Sequence, residues 1–276
     1  MGETPFKDKG QIMPKQSMTR IWMYGLHIPL RRFFHNLRDL SRRIRICLKL
    51  RDPLPPRRVE LELPEVPWNR LCCSSGTLFA ELETADGNVS PVELSIINAI
   101  CATFRPRRVM EIGTFDGRTT LNLALNSGGE VFTLDIPSDE KAVFDLAPED
   151  KPYFDKPRSA IGHRFLTPPN NKLPCVKRIT QLYGDSATFD FSPWYGKIDL
   201  VFIDGSHSYD YVVNDTSVAM KLMRKEGGVI LWHDYGEWPD VTKALNELRK
   251  KDSRLSPVHI RDTSLVASVS GSINRT

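Results

Sequence analysis

Val109-Met-Glu-Ile-Gly-Thr-Phe-Asp-Gly-Arg-Thr-Thr-Leu-Asn-Leu-Ala124 is the stretch that decides the fold of this 276-residue chain. Val109, Met110 and Ile112 form an apolar run of the kind that becomes a buried strand. Gly113 and Gly117 bracket a turn that other residues make with difficulty. Thr119 to Ala124 resumes as a helical segment. A strand that feeds a glycine turn into a helix leaves free N–H groups and a positive dipole end at the strand's carboxyl edge. Such an edge receives a nucleotide-like or carboxylate-bearing small molecule.

Outward from this stretch, strands and helices alternate. Ser90-Pro91-Val92-Glu93 is a capping box with proline at the first helical position, opening a helix over about 91–104. Glu130 to Ile136 is a second strand, ending in Asp135. Residues 137–175 are rich in proline and charge and read as a long insertion, with one short helix near 140–146. Long loops of this kind are usually functional, so a lid or substrate wall is expected here. A third strand, about 177–183, ends at Gly184-Asp185-Ser186. The fourth, Ile198 to Ile203, is almost wholly apolar, as a central parallel strand should be. Helices over about 211–224 and 239–250, a strand at Val229–Trp232, and two last strands near 256–261 and 264–269 complete the pattern. The alternation predicts an α/β fold with a seven-stranded, mostly parallel sheet and helices on both faces.

The N-terminal quarter is different. Residues 14–58 hold 12 Lys/Arg against 2 Asp/Glu, whereas the whole chain is only +4. Residues 1–13 cancel, so the remaining 218 residues sum to −6. Between Pro29 and Leu50, Leu30, Phe33, Phe34, Leu37, Leu40, Ile44, Cys47 and Leu48 recur at helical steps, with arginines over much of the rest. This basic amphipathic helix can pack on its own domain or a second subunit, making a homo-oligomer. It can instead lie on an anionic membrane surface; nucleic acid is the least favoured partner. Pro53, Pro55, Pro56, Pro64 and Pro67 suggest a stiff linker. The expected division is therefore 1–70, a helical extension and linker, and 71–276, the catalytic domain. Five cysteines without a C-x-x-C spacing argue against a disulfide framework or zinc site, and no apolar run is long enough to span a membrane. Met1-Gly2 is followed by Phe6 where a myristoylation signal needs Ser or Thr. The expected location is cytoplasmic, with membrane association if the basic helix serves that purpose.

Acidic residues gather at strand ends: Glu111, Asp116, Asp135, Asp185, Asp204 and Asp234. The turn is G-x-x-x-G, without the middle glycine that lets backbone approach a pyrophosphate. That argues against a dinucleotide and for a smaller adenosine-bearing ligand. Asp135, 22 residues after Gly113, stands where an acid binds ribose hydroxyls.

Taken together, Glu111-Ile-Gly-Thr-Phe-Asp-Gly117 with Thr119, Asp135, Gly184-Asp185-Ser186, Asp199-Leu-Val-Phe-Ile-Asp-Gly-Ser-His207 and Gly227-Gly-Val-Ile-Leu-Trp-His-Asp-Tyr235 resemble class I S-adenosylmethionine-dependent methyltransferases. The nearest likeness is to the small-molecule O-methyltransferase branch with caffeoyl-CoA-type, macrolide-sugar and cephalosporin hydroxylase-like members. It spans about residues 88–270. The resemblance implies that Glu111 and the turn Gly113, Thr114, Phe115, Asp116, Gly117, with Thr119, hold the methionine part of S-adenosyl-L-methionine. It implies Asp135 at the ribose, Asp185 and Ser186 at the adenine, and Asp204 beneath the methyl-transfer centre. His207 is the candidate general base for the acceptor hydroxyl. Asp204 and Asp234 would offer oxygen ligands to Mg²⁺, but His233 stands where such family members have a second acid. The expected activity is O-methylation of a small molecule, sugar or glycoconjugate. The alternatives are N-methylation, a lipid-linked substrate, or a non-catalytic adaptor binding membrane or partner.

Overall fold

The computed structural model describes residues 59–72, 76–147 and 150–271. The polar start, the helix expected over 29–50 and residues 51–58 of the proline-rich stretch lie outside the described residues.

The glycine-turn stretch forms as its pattern requires. Strand β2 (Arg108–Ile112) runs into the turn, and a helix, Arg118–Asn126, follows it. The other strands are β1 (Glu65–Val66), β3 (Glu130–Asp135), β4 (Ile179–Tyr183), β5 (Leu200–Ile203), β6 (Gly227–Trp232), β7 (Val258–Ile260) and β8 (Val266–Gly271). They make one sheet in the order β1-β7-β8-β6-β5-β2-β3-β4. All pairings are parallel except those of β8 with β6 and β7. We number the main helices α1 (Pro91–Phe104), α2 (Arg118–Asn126), α3 (Lys151–Phe154), α4 (His163–Leu166), α5 (Tyr209–Leu222) and α6 (Pro239–Lys251).

Alternation along the strands feeds two cores. Val109, Leu200, Phe202, Val229 and Leu231 face one side, with Leu94 and Ile97 of α1 and Leu121 of α2. Met110, Ile112, Val201, Ile203, Ile230 and Trp232 face the other, with Val212 and Leu222 of α5 and Val241 and Leu245 of α6. Successive strand side chains point to opposite faces, so a nearly continuous apolar run serves both layers. The capping box forms: Ser90 Oγ accepts from Glu93 N and Glu93 Oε2 accepts from Ser90 N.

Two expectations need correction. The sheet has eight strands, not seven. The extra one, β1, comes from residues expected to be linker, and the compact unit begins at Val59. Its prolines permit this. Pro64 and Pro67 flank an edge strand, where a missing N–H is harmless, and the carbonyls of Pro64 and Val66 accept from His259 and Arg261. The insertion has no helix at 140–146. Val143 N donates to Asp185 Oδ2 (2.7 Å) instead of closing a helical turn. Its α-helices among the described residues are the short α3 and α4.

Candidate active site

Each strand-end residue extends the ladder by one bond. Gly113 N donates to Leu134 O, Gly184 N to Asp135 O, Asp204 N to Ile112 O and His233 N to Ile203 O. The loops after β2, β3, β4, β5 and β6 therefore share one edge. Those after β2, β3, β4 and β5 border a cleft that opens to solvent. Gly113, Phe115, Asp135, Asp185, Ser186, Asp204, Tyr211 and Asp215 line it, with Tyr153 and Phe154 from the insertion.

Gly113 is obligatory on two counts. Its φ is +101°, and a Cβ would lie 1.9 Å from the Asp204 carbonyl oxygen. The turn and the end of β5 can touch only through a residue without a side chain. Phe115 is also left-handed, at φ +51°. Its N–H donates to Asp135 Oδ2 (2.6 Å), which fixes the strained turn to the expected ribose acid. Burial pushes the Asp135 carboxyl up to about 6, against those backbone donors.

Glu111 is fully buried within β2 and does not line the cleft. Thr120 and Thr133 both donate to its Oε2, while Oε1 has no partner. Burial pushes its pKa up to about 8. Thr114, Asp116, Gly117 and Thr119 also lie outside the lining. The Thr114 hydroxyl bonds Thr133 (2.6 Å). Asp116 is buried in an ion pair with Arg164 (Nε to Oδ2, 2.7 Å) and accepts from Asn88 and from Arg118 N. Its carboxylate holds the turn together and leaves no face for a ligand. Asp185 is likewise occupied, by Val143 N, Ala187 N and the Tyr211 hydroxyl.

Beside this cleft runs a chain of acids and imidazoles. Asp150, from the insertion, is buried and accepts from Ser206 Oγ (2.9 Å), His207 N (3.0 Å) and His207 Nδ1. His207 Nε2 faces Asp234 Oδ2 at 2.8 Å. The His207 ring stacks on Trp238, centroids 3.9 Å apart, and meets Tyr153 edge-on. His233 Nδ1 lies 3.1 Å from both Asp204 Oδ1 and Asp234 Oδ2, and its Nε2 faces Glu93 Oε2 at 3.3 Å. Burial lowers the His207 pKa, but Asp150 and Asp234 outweigh it and carry the value up to about 10. His233 is raised in the same sense by Asp204 and Asp234 despite burial. Burial alone would raise Asp234, yet the two imidazoles hold it well below the usual carboxylate range.

Asp204, His233 and Asp234 bring ligand atoms within 4.8 Å of one another. Two carboxylates and an imidazole are a poor donor set for Mg²⁺, which asks for oxygen in near-octahedral array. An imidazole suits a transition-metal ion better, and His233 already pairs with both acids. These residues do not fit Mg²⁺.

Sequence reasoning missed Asp150, Tyr153, Tyr211 and Asp215. Tyr211 and Asp215 stand four residues apart on α5, one face of the helix that leaves the Asp204 strand, and that spacing was a usable signal. Burial pushes Asp215 up to about 7. Asp150 carried no signal, because the insertion has no periodicity to place it.

Residues 110–235 match the family described as methyltransferase domain. A 54-residue segment is 41% identical to an uncharacterized protein, R132, of Acanthamoeba polyphaga mimivirus, over 18% of this chain and 24% of that protein's length. Among solved structures, the S-adenosylhomocysteine-bound Podospora anserina methyltransferase PaMTH1 is 16% identical (TM-score 0.47; 95% of this chain, 98% of that one). The O-methyltransferase TomG of Streptomyces achromogenes, solved with S-adenosylmethionine, is 18% identical (TM-score 0.46; 67% and 83%). The matched segment runs from the glycine-turn strand to the strand-end residues Asp204, His233 and Asp234, taking in the whole cleft edge. Residues 110–235, a little under half of the chain, are thus similar to a methyltransferase domain.

Proposed function

We propose that this enzyme methylates a hydroxyl oxygen of a small molecule, sugar or glycoconjugate, with His207 as the proton acceptor and Asp150 as the carboxylate that orients it. The observation behind this reading is the line Asp150–His207–Asp234 beside the proposed cofactor cleft.

The cleft suits the cofactor. On this reading Asp135, Asp185, Ser186 and Asp204, which line the cleft, serve the ribose, the adenine and the methyl-transfer centre. The Oε1 of Glu111, buried behind the turn that this reading gives to the amino-acid part, has no partner in the fold. When bound, the cofactor supplies an electrophilic methyl group on a sulfonium. The protein's own task is then to align an acceptor oxygen behind that methyl and to take its proton.

Asp150 fixes the His207 ring from the Nδ1 side, the orienting role that a buried carboxylate plays for a catalytic imidazole. Trp238 and Tyr153 lock the ring plane. With no acceptor present, Nε2 is engaged by Asp234 and the imidazole holds its proton. An acceptor hydroxyl that takes Asp234 as its hydrogen-bond partner separates the pair. Displacing Asp234 from Nε2 removes one of the two carboxylates that hold the second proton on the ring. That proton passes to solvent, and the neutral imidazole, its Nδ1–H kept on Asp150, takes the acceptor hydroxyl's proton at Nε2. Asp204 and Asp234 are also placed to align the acceptor, and no metal step is needed for that.

The test is a split between turnover and cofactor affinity. With a labelled cofactor and an acceptor found by screening, His207→Ala should lower kcat by about 10²–10⁴-fold. Asp150→Asn should lower it less. Both should keep S-adenosylhomocysteine affinity within about two-fold of wild type. Unchanged turnover in His207→Ala would remove the base assignment.

A further inference from the structure

The cleft edge is lined by acids: Asp135, Asp185, Asp204 and Asp215. The cofactor's amino-acid tail carries a carboxylate, and a carboxylate in this setting needs a cation. Two of the cations around the glycine turn are already engaged. Arg164 donates to Asp116, Glu81 and the Glu83 carbonyl. Arg118 donates to the carbonyls of Glu81 and Val89.

Lys156 is different. It follows α3 by two residues, so it enters from the insertion. Its backbone is tied down on both sides: Lys156 N donates to Phe154 O, and Ser138 N donates to Lys156 O. Its ammonium has no hydrogen bond or ion pair among the described residues. It sits 3.0 Å from the centroid of the Phe115 ring. Phe115 belongs to the glycine turn, lines the cleft and packs edge-on against Tyr153, another lining residue. Asp116 and Asp135 attract Lys156 through space. Their own oxygens, however, are engaged by Arg164 and Phe115 N. A half-buried ammonium on a ring face, with its donors unused, is poised to receive an anion at the turn.

We propose that Lys156 pairs with the carboxylate of the cofactor's amino-acid tail, so that the insertion supplies a cofactor-binding cation to the glycine turn. The proposal rests on the cofactor assignment.

Binding calorimetry with two ligands tests it. S-adenosylhomocysteine carries the carboxylate; 5′-methylthioadenosine keeps the nucleoside and the thioether but lacks the amino-acid tail. Lys156→Met should weaken S-adenosylhomocysteine by about 10- to 100-fold, the range for a charge-assisted pair. The same substitution should leave 5′-methylthioadenosine within about two-fold. Lys156→Arg should retain most of the S-adenosylhomocysteine affinity. Equal losses for both ligands would mean that Lys156 only supports the Phe115 wall, and the proposal fails. No loss for either ligand also overturns it, and leaves the ammonium to an anionic group on the acceptor. Failure of the unaltered chain to bind either ligand would strike the cofactor assignment itself, before any variant is compared.

Discussion

Glu111 shows what a single residue contributes to a site it does not line. Its carboxyl is sealed under the glycine turn with one oxygen unpartnered, and burial raises its pKa from 4.5 to about 8. A carboxyl whose folded pKa is raised destabilises the fold as pH climbs. Below 4.5 it is protonated in both states and the penalty is absent. Between 4.5 and 8 the unfolded chain releases a proton that the folded chain must keep, and the penalty grows until pH 8. Glu111→Gln removes this dependence. The thermal midpoint of the cofactor-free variant, measured relative to wild type, should therefore rise between pH 5 and pH 8, by roughly 2–4 °C for each kcal/mol relieved. The two hydroxyl donors remain satisfied by the amide oxygen, so the slope with pH, rather than the offset, is the readout. A difference that stays flat over that range would show that Glu111 ionises freely in the fold.

Among the elements, β1 is the one that patterning hid. Two residues flanked by prolines look like a linker, and only the partner strand reveals otherwise. What ties the segment down is Tyr235, immediately after Asp234. Its hydroxyl accepts from Glu62 N (2.9 Å) and Leu63 N (3.1 Å) and donates to Asn246 Oδ1 (2.7 Å). Tyr235→Phe leaves those amide donors without that acceptor and should lower stability by about 1–3 kcal/mol in denaturant titration, with S-adenosylhomocysteine affinity unchanged. A loss of affinity equal to the loss of stability would tie β1 to the cofactor edge. The legible parts share one property: they are local. The turn glycines, the capping box at Ser90, the apolar run of β5 and the acid-ended strands each state their structure within a few residues. Asp135 could be placed by counting from Gly113. Asp150 and Arg164 could not, because their partners, His207 and Asp116, lie 57 and 48 residues away in a region without periodicity. The short helix expected at 140–146 failed for the same reason: Val143 answers to Asp185, 42 residues downstream.

At the scale of the whole molecule, charge is divided between two parts. Residues 14–58 carry +10 and residues 59–276 carry −6. Among the described residues no helix is long and apolar enough to cross a membrane; the basic segment is the part expected to make a peripheral membrane contact. If residues 29–50 serve that contact, the full chain should co-sediment with anionic vesicles in a salt-sensitive way, and a chain beginning at Val59 should stay in the supernatant. Equal sedimentation of the two would end the membrane reading. The insertion makes the opposite kind of connection, inward. Gly162 N donates to Phe115 O, Arg164 N to Asp116 O, and Gly117 has no room for a side chain beside Phe165. For anyone recombining such enzymes this joint has a practical meaning. The segment 137–175 is not an exchangeable cassette: a chimera that imports it must also import Glu81, Asp116 and Gly117. Substitutions made in that segment are therefore expected to reach the glycine turn as well.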